Sequence, residues 1–361
     1  MEKKKVAFFV TGLESGGIEN YLLRFLTHYK DEINAHVYCK SGAKGVLEDK
    51  YKSIGAQIIP MKIGYFNLFQ FKRIYDKFII EKYCTVCDFT GNFAGIIMML
   101  SYYAKINNRI AFYRGSTNHF RANYIRLLYN EWMKKLVEKY SSYILSNSKV
   151  ALDFFYPNRD RQDSRCQVIY NGIDSKKFLS TKDELRDELS IPKSAFVVGH
   201  VGRFAKEKNH DLIIKVAFDL CKKHDDIFFL LCGKGVDENL ANIVEQEGLS
   251  SRIKLLGNRT DIIRILNTMN CFYFPSKTEG QPNALIEALI TGLPFVASNI
   301  EPIKESIPKA FHDQLVNIDT IEQSCLKILE IYNKDKNIDL RNWAVDFYNV
   351  TNLFDQFFRK L

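Results

Sequence analysis

The chain has 361 residues, of which 46% are apolar and 26% charged, and its net charge is +9. These proportions describe a globular protein long enough for two ordinary domains, and they exclude a disordered, repetitive or low-complexity chain. Eight scattered cysteines, several inside apparent strands (Cys39, Cys232, Cys271), suit a reducing cytosol and not a disulfide framework.

The opening MEKKK is basic, but the apolar run VAFFV (6–10) stops at Thr11 and Gly12, too soon for a signal peptide. The longest apolar stretch, 93–104, is about half a membrane span. Short apolar runs predict strands at 6–10, 35–39, 57–61, 85–89, 109–113, 143–147 and 167–171. Amphipathic runs between them, such as 18–29 and 124–140, predict helices. After Gly172 the alternation restarts, with strands at 196–202, 227–233, 253–257, 271–275 and 294–298. Strand–helix–strand units of this kind build parallel sheets with right-handed crossovers, so two sets imply two doubly wound domains. The boundary falls near VIYNGID (168–174), giving domains 1–172 and 173–341. A terminal helix over 342–360 carries Trp343, Phe347, Phe354 and Phe358 as one apolar stripe.

Charge divides unevenly. Residues 1–172 hold 26 basic and 15 acidic side chains, whereas the remainder holds 25 and 27. The whole excess therefore lies in the first half, which suggests an anionic partner: nucleic acid or an anionic membrane surface.

Several segments carry chemistry. In TGLESGGIENYLL (11–23) a strand runs through Gly16 and Gly17 into a helix. The glycines allow close backbone approach, the helix start offers free N–H groups, and Glu19 can cap the first turn. Aromatic and basic residues interleave over 64–83, the pattern of a helix packed on a sheet or lying in a membrane interface. Cys84 and Cys87 form a single C-x-x-C without a second pair at zinc spacing, so no metal is expected. The loop after the strand at 109–113 holds Arg114, Ser116, Asn118 and His119, all able to bind a sugar or a phosphate.

In VGRFAKEKNHDLII (201–214), Gly202 ends a buried strand, and Arg203 and Lys208 follow in the loop. Two cations at the carboxyl end of a strand are placed for a diphosphate. LLCGKGVDENL (230–240) gives a G-x-G turn at Gly233, but the third glycine and the acidic residue of a dinucleotide site are missing. The densest segment is SKTEGQPNALIEALITGLPFVAS (276–298), with Glu279 and Glu287 separated by seven residues. Pro282 near the first turn and Gly292 past the end mark a helix between two strands. Glu279 is thereby set in the loop at a strand's carboxyl end, and Glu287 one or two turns into the helix. Two carboxylates there cannot grip phosphate, but they accept hydrogen bonds from sugar hydroxyls.

The order and spacing of these segments resemble the retaining glycosyltransferases of family 4, which have the GT-B fold. The resemblance is dense over 165–300 and sparse in the first domain. It implies two Rossmann-like domains facing a cleft, with the last helix (342–361) crossing back onto the first. It further implies a nucleotide-sugar in the second domain and an acceptor in the first. Glu287 would take the ribose hydroxyls. Glu279 would lie near the sugar hydroxyls, and the backbone of Gly280, Gln281, Pro282, Asn283, Ala284 and Leu285 near the diphosphate. Gly202, Arg203 and Lys208 would hold that diphosphate, with Gly16 and Gly17 reaching it across the cleft. Gly233, Asn258 and Arg259 would lie on the base side, and Asn171, Gly172 and Asp174 match the hinge. Many members carry a His where this chain has Phe112, Tyr113 and Arg114, so Arg114 or His119 takes that role or the position is not needed.

The activity implied is retaining, metal-independent hexosyl transfer, from a donor that family frequency makes a UDP-sugar. The acceptor would be lipid-linked or an oligosaccharide in bacterial surface polysaccharide synthesis. No cofactor and no nucleic acid are expected. The basic first domain would work in the cytoplasm, at the inner face of the cell membrane. The alternative is a catalytically silent GT-B subunit that binds or activates a partner transferase.

Overall fold

A computed structural model describes residues 2–14, 16–43, 45–64, 67–114, 124–334 and 338–361. The chain divides into two compact units, Met1–Asn171 with Thr351–Leu361, and Gly172–Val350.

In unit 1 the strands are β1 (Lys4–Val10), β2 (Ile33–Cys39), β3 (Gln57–Pro60), β4 (Thr85–Asp88), β5 (Asn108–Tyr113), β6 (Tyr143–Ser146) and β7 (Cys166–Val168). They lie in the order β3-β2-β1-β4-β5-β6-β7, and every neighbouring pair is parallel. Parallel neighbours need crossover helices, which cover both faces of the sheet. That is why these strands read as unbroken apolar runs, with Val6 to Val10 fully buried.

In unit 2 the strands are β8 (Phe196–Val201), β9 (Ile227–Cys232), β10 (Ile253–Leu256), β11 (Cys271–Phe274), β12 (Phe295–Ser298) and β13 (Leu315–Val316). Their order is β10-β9-β8-β11-β12-β13, again all parallel. The strand order therefore reverses direction between β1 and β4 in unit 1, and between β8 and β11 in unit 2. Open sheets of this kind bind ligands outside the carboxyl ends of the strands at such reversals.

The helix Tyr124–Tyr140 has the bounds its periodicity predicts. The helix Leu68–Glu81 starts at Asn67, whose side chain accepts from the Gln70 N–H at 3.1 Å. It turns Ile74 and Phe78 into the core and leaves Leu68, Phe69 and Ile80 exposed. Among the described residues no helix is long and apolar enough to cross a membrane.

The single terminal helix expected over 342–360 is instead two helices, Arg341–Phe347 and Val350–Phe358. The break is imposed by packing. Tyr348 is fully buried and donates to the Ser306 carbonyl at 3.0 Å. The Tyr348 carbonyl accepts from the Ile173 N–H at 2.9 Å. Trp343 and Phe347 stack on each other at 5.0 Å in unit 2, so they do not share a stripe with Phe354 and Phe358. The second helix belongs to unit 1. Phe357 meets Phe25 at 4.7 Å, Phe112 at 5.4 Å and Phe89 at 6.2 Å, and Phe354 meets Tyr21 at 5.6 Å. Thr85 Oγ1 donates to the Leu361 carbonyl at 2.6 Å, and Tyr29 hydrogen-bonds Asp355.

Candidate functional site

The loop after β8 and the loop after β11 lie side by side at the strand-order reversal of unit 2. Their strands pair through Cys271 with Val198 and Phe272 with Gly199. Beyond the strands the Lys277 N–H donates to the Glu207 carbonyl at 2.7 Å, which ties one loop to the other. Lys208, in the 3-10 turn Lys206–Lys208, reaches across this tie. Its Nζ donates to Glu279 Oε1 at 2.6 Å and lies 4.9 Å from the centre of the Phe274 ring. Both partners are largely withdrawn from solvent, with side chains 20% and 11% exposed. Two residues 71 positions apart in sequence thus meet at the edge where the fold binds ligands. Arg203 is exposed on the same loop, and among the described residues no carboxylate pairs with it.

The helix Asn283–Thr291 begins at Pro282 and ends at Gly292, as its turn residues predict. Its first turn follows the Glu279 loop, so its free N–H groups face the Lys208–Glu279 pair's side of the sheet. Glu287 is half-buried one turn in, and Gln281 is buried. On the other flank, the Gly202 N–H donates to the Cys232 carbonyl at 2.8 Å and the Gly233 N–H to the Leu256 carbonyl at 3.0 Å. The loops after β8, β9 and β10 therefore form one continuous rim holding Gly202, Gly233 and Asn258. Arg259, expected on the base side, is already forked by Asp261, with Nε to Oδ1 at 2.8 Å and Nη2 to Oδ2 at 2.6 Å. That pairing holds its guanidinium well above its usual range.

Gly233 has φ of +154°, and a Cβ there would run into the Gly202 carbonyl. Gly233→Ala is expected to lower the stability of unit 2 by about 1–3 kcal/mol, read from urea denaturation. A variant as stable as the parent would show that the two loops have room to part.

Sequence reasoning missed a histidine pair beneath Lys208. His200 and His210 lie 5.2 Å apart, ring to ring, and both are buried. Burial pushes the His200 imidazole down to about 3, so it is neutral and donates from Nδ1 to the Tyr273 carbonyl at 3.0 Å. The signal was a histidine inside the apolar run FVVGHVG (196–202).

In unit 1, Gly16 and Gly17 stand at the start of the helix Gly17–His28, after β1. A Cβ on Gly16 would run into the Glu19 carboxylate, which folds back over that helix start. Burial raises the Glu19 carboxyl above its usual range. Arg114 follows β5, with its guanidinium 3.8 Å from the Tyr21 ring centre and 5.1 Å from that of Phe112. Desolvation pushes it down to about 10, which leaves it charged at neutral pH. Its Nη1 is buried, with no hydrogen-bond partner among the described residues. Ser116, Asn118 and His119 lie outside the described residues. Among the described residues no three His, Cys, Asp or Glu side chains stand together to hold a metal ion.

Comparison with known proteins adds to this geometry. Residues 181–343 match the family model for glycosyl transferases group 1. The Staphylococcus aureus capsular polysaccharide biosynthesis glycosyltransferase CapH is 27% identical over 363 residues, covering 97% of this chain and 95% of that one. The Escherichia coli UDP-Gal:alpha-D-GlcNAc-diphosphoundecaprenol alpha-1,3-galactosyltransferase is 30% identical over 204 residues, covering 53% of this chain and 52% of that one. The crystal structure of Anabaena Alr3699/HepE in complex with UDP has a TM-score of 0.82 over 98% of both chains at 18% identity, a likeness of fold. The matched segment holds Arg203, Lys208, Glu279 and Glu287, the two doubly wound sheets are those of the GT-B architecture, and the chain is a glycosyltransferase.

Proposed function

We propose that this enzyme moves a hexose from a UDP-sugar to a lipid-linked or oligosaccharide acceptor in bacterial surface polysaccharide synthesis, with retention at the anomeric carbon and without a metal. The observation that carries the reading is the Lys208–Glu279 contact at the β8/β11 reversal, with Arg203 on the same loop. The diphosphate of a donor competes with Glu279 for Lys208, and the exposed Arg203 adds a planar fork. As the bond from the anomeric carbon to the diphosphate oxygen breaks, negative charge gathers on the leaving group. Fixed cations favour that state over the ground state and take the place of a divalent ion. The acceptor hydroxyl attacks from the same face, and its proton passes to the departing phosphate oxygen. Glu279, freed from Lys208, and the backbone of Gly280 to Asn283 orient the sugar, and Glu287 takes the ribose hydroxyls.

The relatives support the pathway by their names: a capsular enzyme in S. aureus, and an E. coli enzyme whose donor is UDP-Gal and whose acceptor is diphosphoundecaprenol-linked. On this reading the reaction runs at the cytoplasmic face of the membrane, and the net positive charge of residues 1–172 favours contact with anionic lipid there.

The test is a thermal-shift panel of UDP-, GDP- and ADP-sugars followed by nucleotide release. A UDP-sugar at a hundred times its Kd is expected to add about 2.7 kcal/mol of stability. Release of UDP in the presence of acceptor is expected to survive EDTA. Loss of activity on chelation overturns metal independence. No turnover with any donor, beside tight binding of another transferase, favours the silent-subunit alternative.

A further inference from the structure

Unit 1 has its own strand-order reversal, between β1 and β4, and a cavity of about 290 Å³ opens there. Its floor is made by residues just past the strand ends: Thr11 after β1, Lys40 and Ser41 after β2, and Thr90 after β4. A lysine at such a place looks like a phosphate grip. It is not available for one. Lys40 Nζ donates to Asp88 Oδ2 at 2.7 Å, to Thr90 Oγ1 at 2.7 Å and to the Phe93 carbonyl at 3.0 Å. An ammonium has three N–H bonds, and all three are taken. Asp88 is matched as well, since its Oδ1 accepts from the Thr90 N–H at 2.9 Å and from Thr90 Oγ1 at 2.6 Å. The buried charge is balanced and saturated, so the floor offers little to an anion or to a ring of hydroxyls.

The walls are apolar: Phe71 from the helix Leu68–Glu81, Ile97 from the helix Gly95–Tyr103, and Tyr129 and Met133 from the helix Tyr124–Tyr140. The apolar lining continues outward. Tyr129 touches Trp132 at 5.9 Å, and Tyr124, Leu128 and Trp132 stand four residues apart along that helix, each exposed. Spacing of four residues sets them on one helical face. A saturated floor, apolar walls and an exposed apolar ridge leading away define a site for a chain and not for a compact polar molecule.

We propose that this cavity binds the first isoprene units of a polyprenyl carrier, with the ridge of Tyr124, Leu128 and Trp132 continuing along the chain. The inference rests on the reading that the acceptor is lipid-linked, and it names the group that anchors it. The net basic excess of residues 1–172 lies on the same unit and suits the diphosphate that joins such a chain to its sugar.

The experiment uses the full chain and prenyl diphosphates of increasing length, isopentenyl, geranyl and farnesyl, below their micellar concentrations, with inorganic pyrophosphate as the control. Binding read by calorimetry is expected to tighten at least about tenfold from isopentenyl to farnesyl, because each added methylene leaves water for the cavity. Ile63→Trp, which fills the cavity from its half-buried rim, and Phe71→Asp, which puts a carboxylate in its wall, are each expected to erase that gain and to leave UDP binding unchanged. Equal affinity for farnesyl diphosphate and pyrophosphate overturns the proposal, as does a farnesyl preference that persists in both variants. In the parent protein, absence of UDP binding would count against the glycosyl-transfer reading, whereas UDP binding without any chain-length effect would count against the cavity alone.

Discussion

Lys208→Ala is expected to lower kcat by about two to three powers of ten, the range found when a single charge-stabilising donor is removed from an active site. The effect should fall on kcat more than on KM, because the ammonium gains most once the departing diphosphate has taken up charge. The fold should survive. The lysine lies in a surface loop, and its removal leaves Glu279 partly accessible to water, a cost of about 1–2 kcal/mol. Lys208→Arg tests position against charge, since it keeps the charge but replaces a compact ammonium 4.9 Å from the Phe274 ring centre with a longer planar fork. Glu287→Ala is expected to abolish transfer as well, through loss of ribose binding, again with the fold intact. Steady-state rates of UDP release, beside thermal denaturation of each variant, decide the matter. Full activity in both alanine variants would show that the Lys208–Glu279 contact is a structural ion pair and nothing more.

Phe357→Ala is the largest stability effect to expect. The ring is fully buried among Phe25, Phe89 and Phe112. Truncation of such a side chain leaves a cavity and costs about 3–5 kcal/mol. The loss should appear in the unfolding of unit 1, while unit 2, which does not contain this helix, keeps its own transition. Hydrogen exchange of β1, β4 and β5 against that of β8, β9 and β11 separates the two. Equal loss of protection in both sets would show that the units unfold as one.

Much of this architecture was legible in the sequence because parallel strands are buried on both faces. Runs such as VAFFV and IFFLLC are short, rich in β-branched and aromatic residues and bounded by turn residues, and their spacing leaves room for crossover helices. The loops bearing Arg203, Lys208, Glu279 and Glu287 were legible for a related reason: glycines and prolines mark where strands stop and helices start, and such points coincide with the ligand edge. What stayed hidden depended on partners remote in sequence. β13 is two residues long and exists only as an addition to β12. The break at Tyr348 comes from packing against Ser306 and Ile173, and nothing local announces it. Arg259 reads as a free base-side cation until its fork on Asp261 is seen. Lys40 and Asp88 carry no motif, and only the adjacency of β2, β1 and β4 brings them together.

The route of the chain also orders its birth. Residues 351–361 complete the core of unit 1, yet they are made only after all of unit 2. While the ribosome extends the polypeptide, the seven-stranded sheet must wait with Phe25, Phe89 and Phe112 uncovered, and the later six-stranded sheet has every residue it needs first. The part translated first is thus the part that matures last, and the interval is when nascent protein is most open to chaperones or to aggregation.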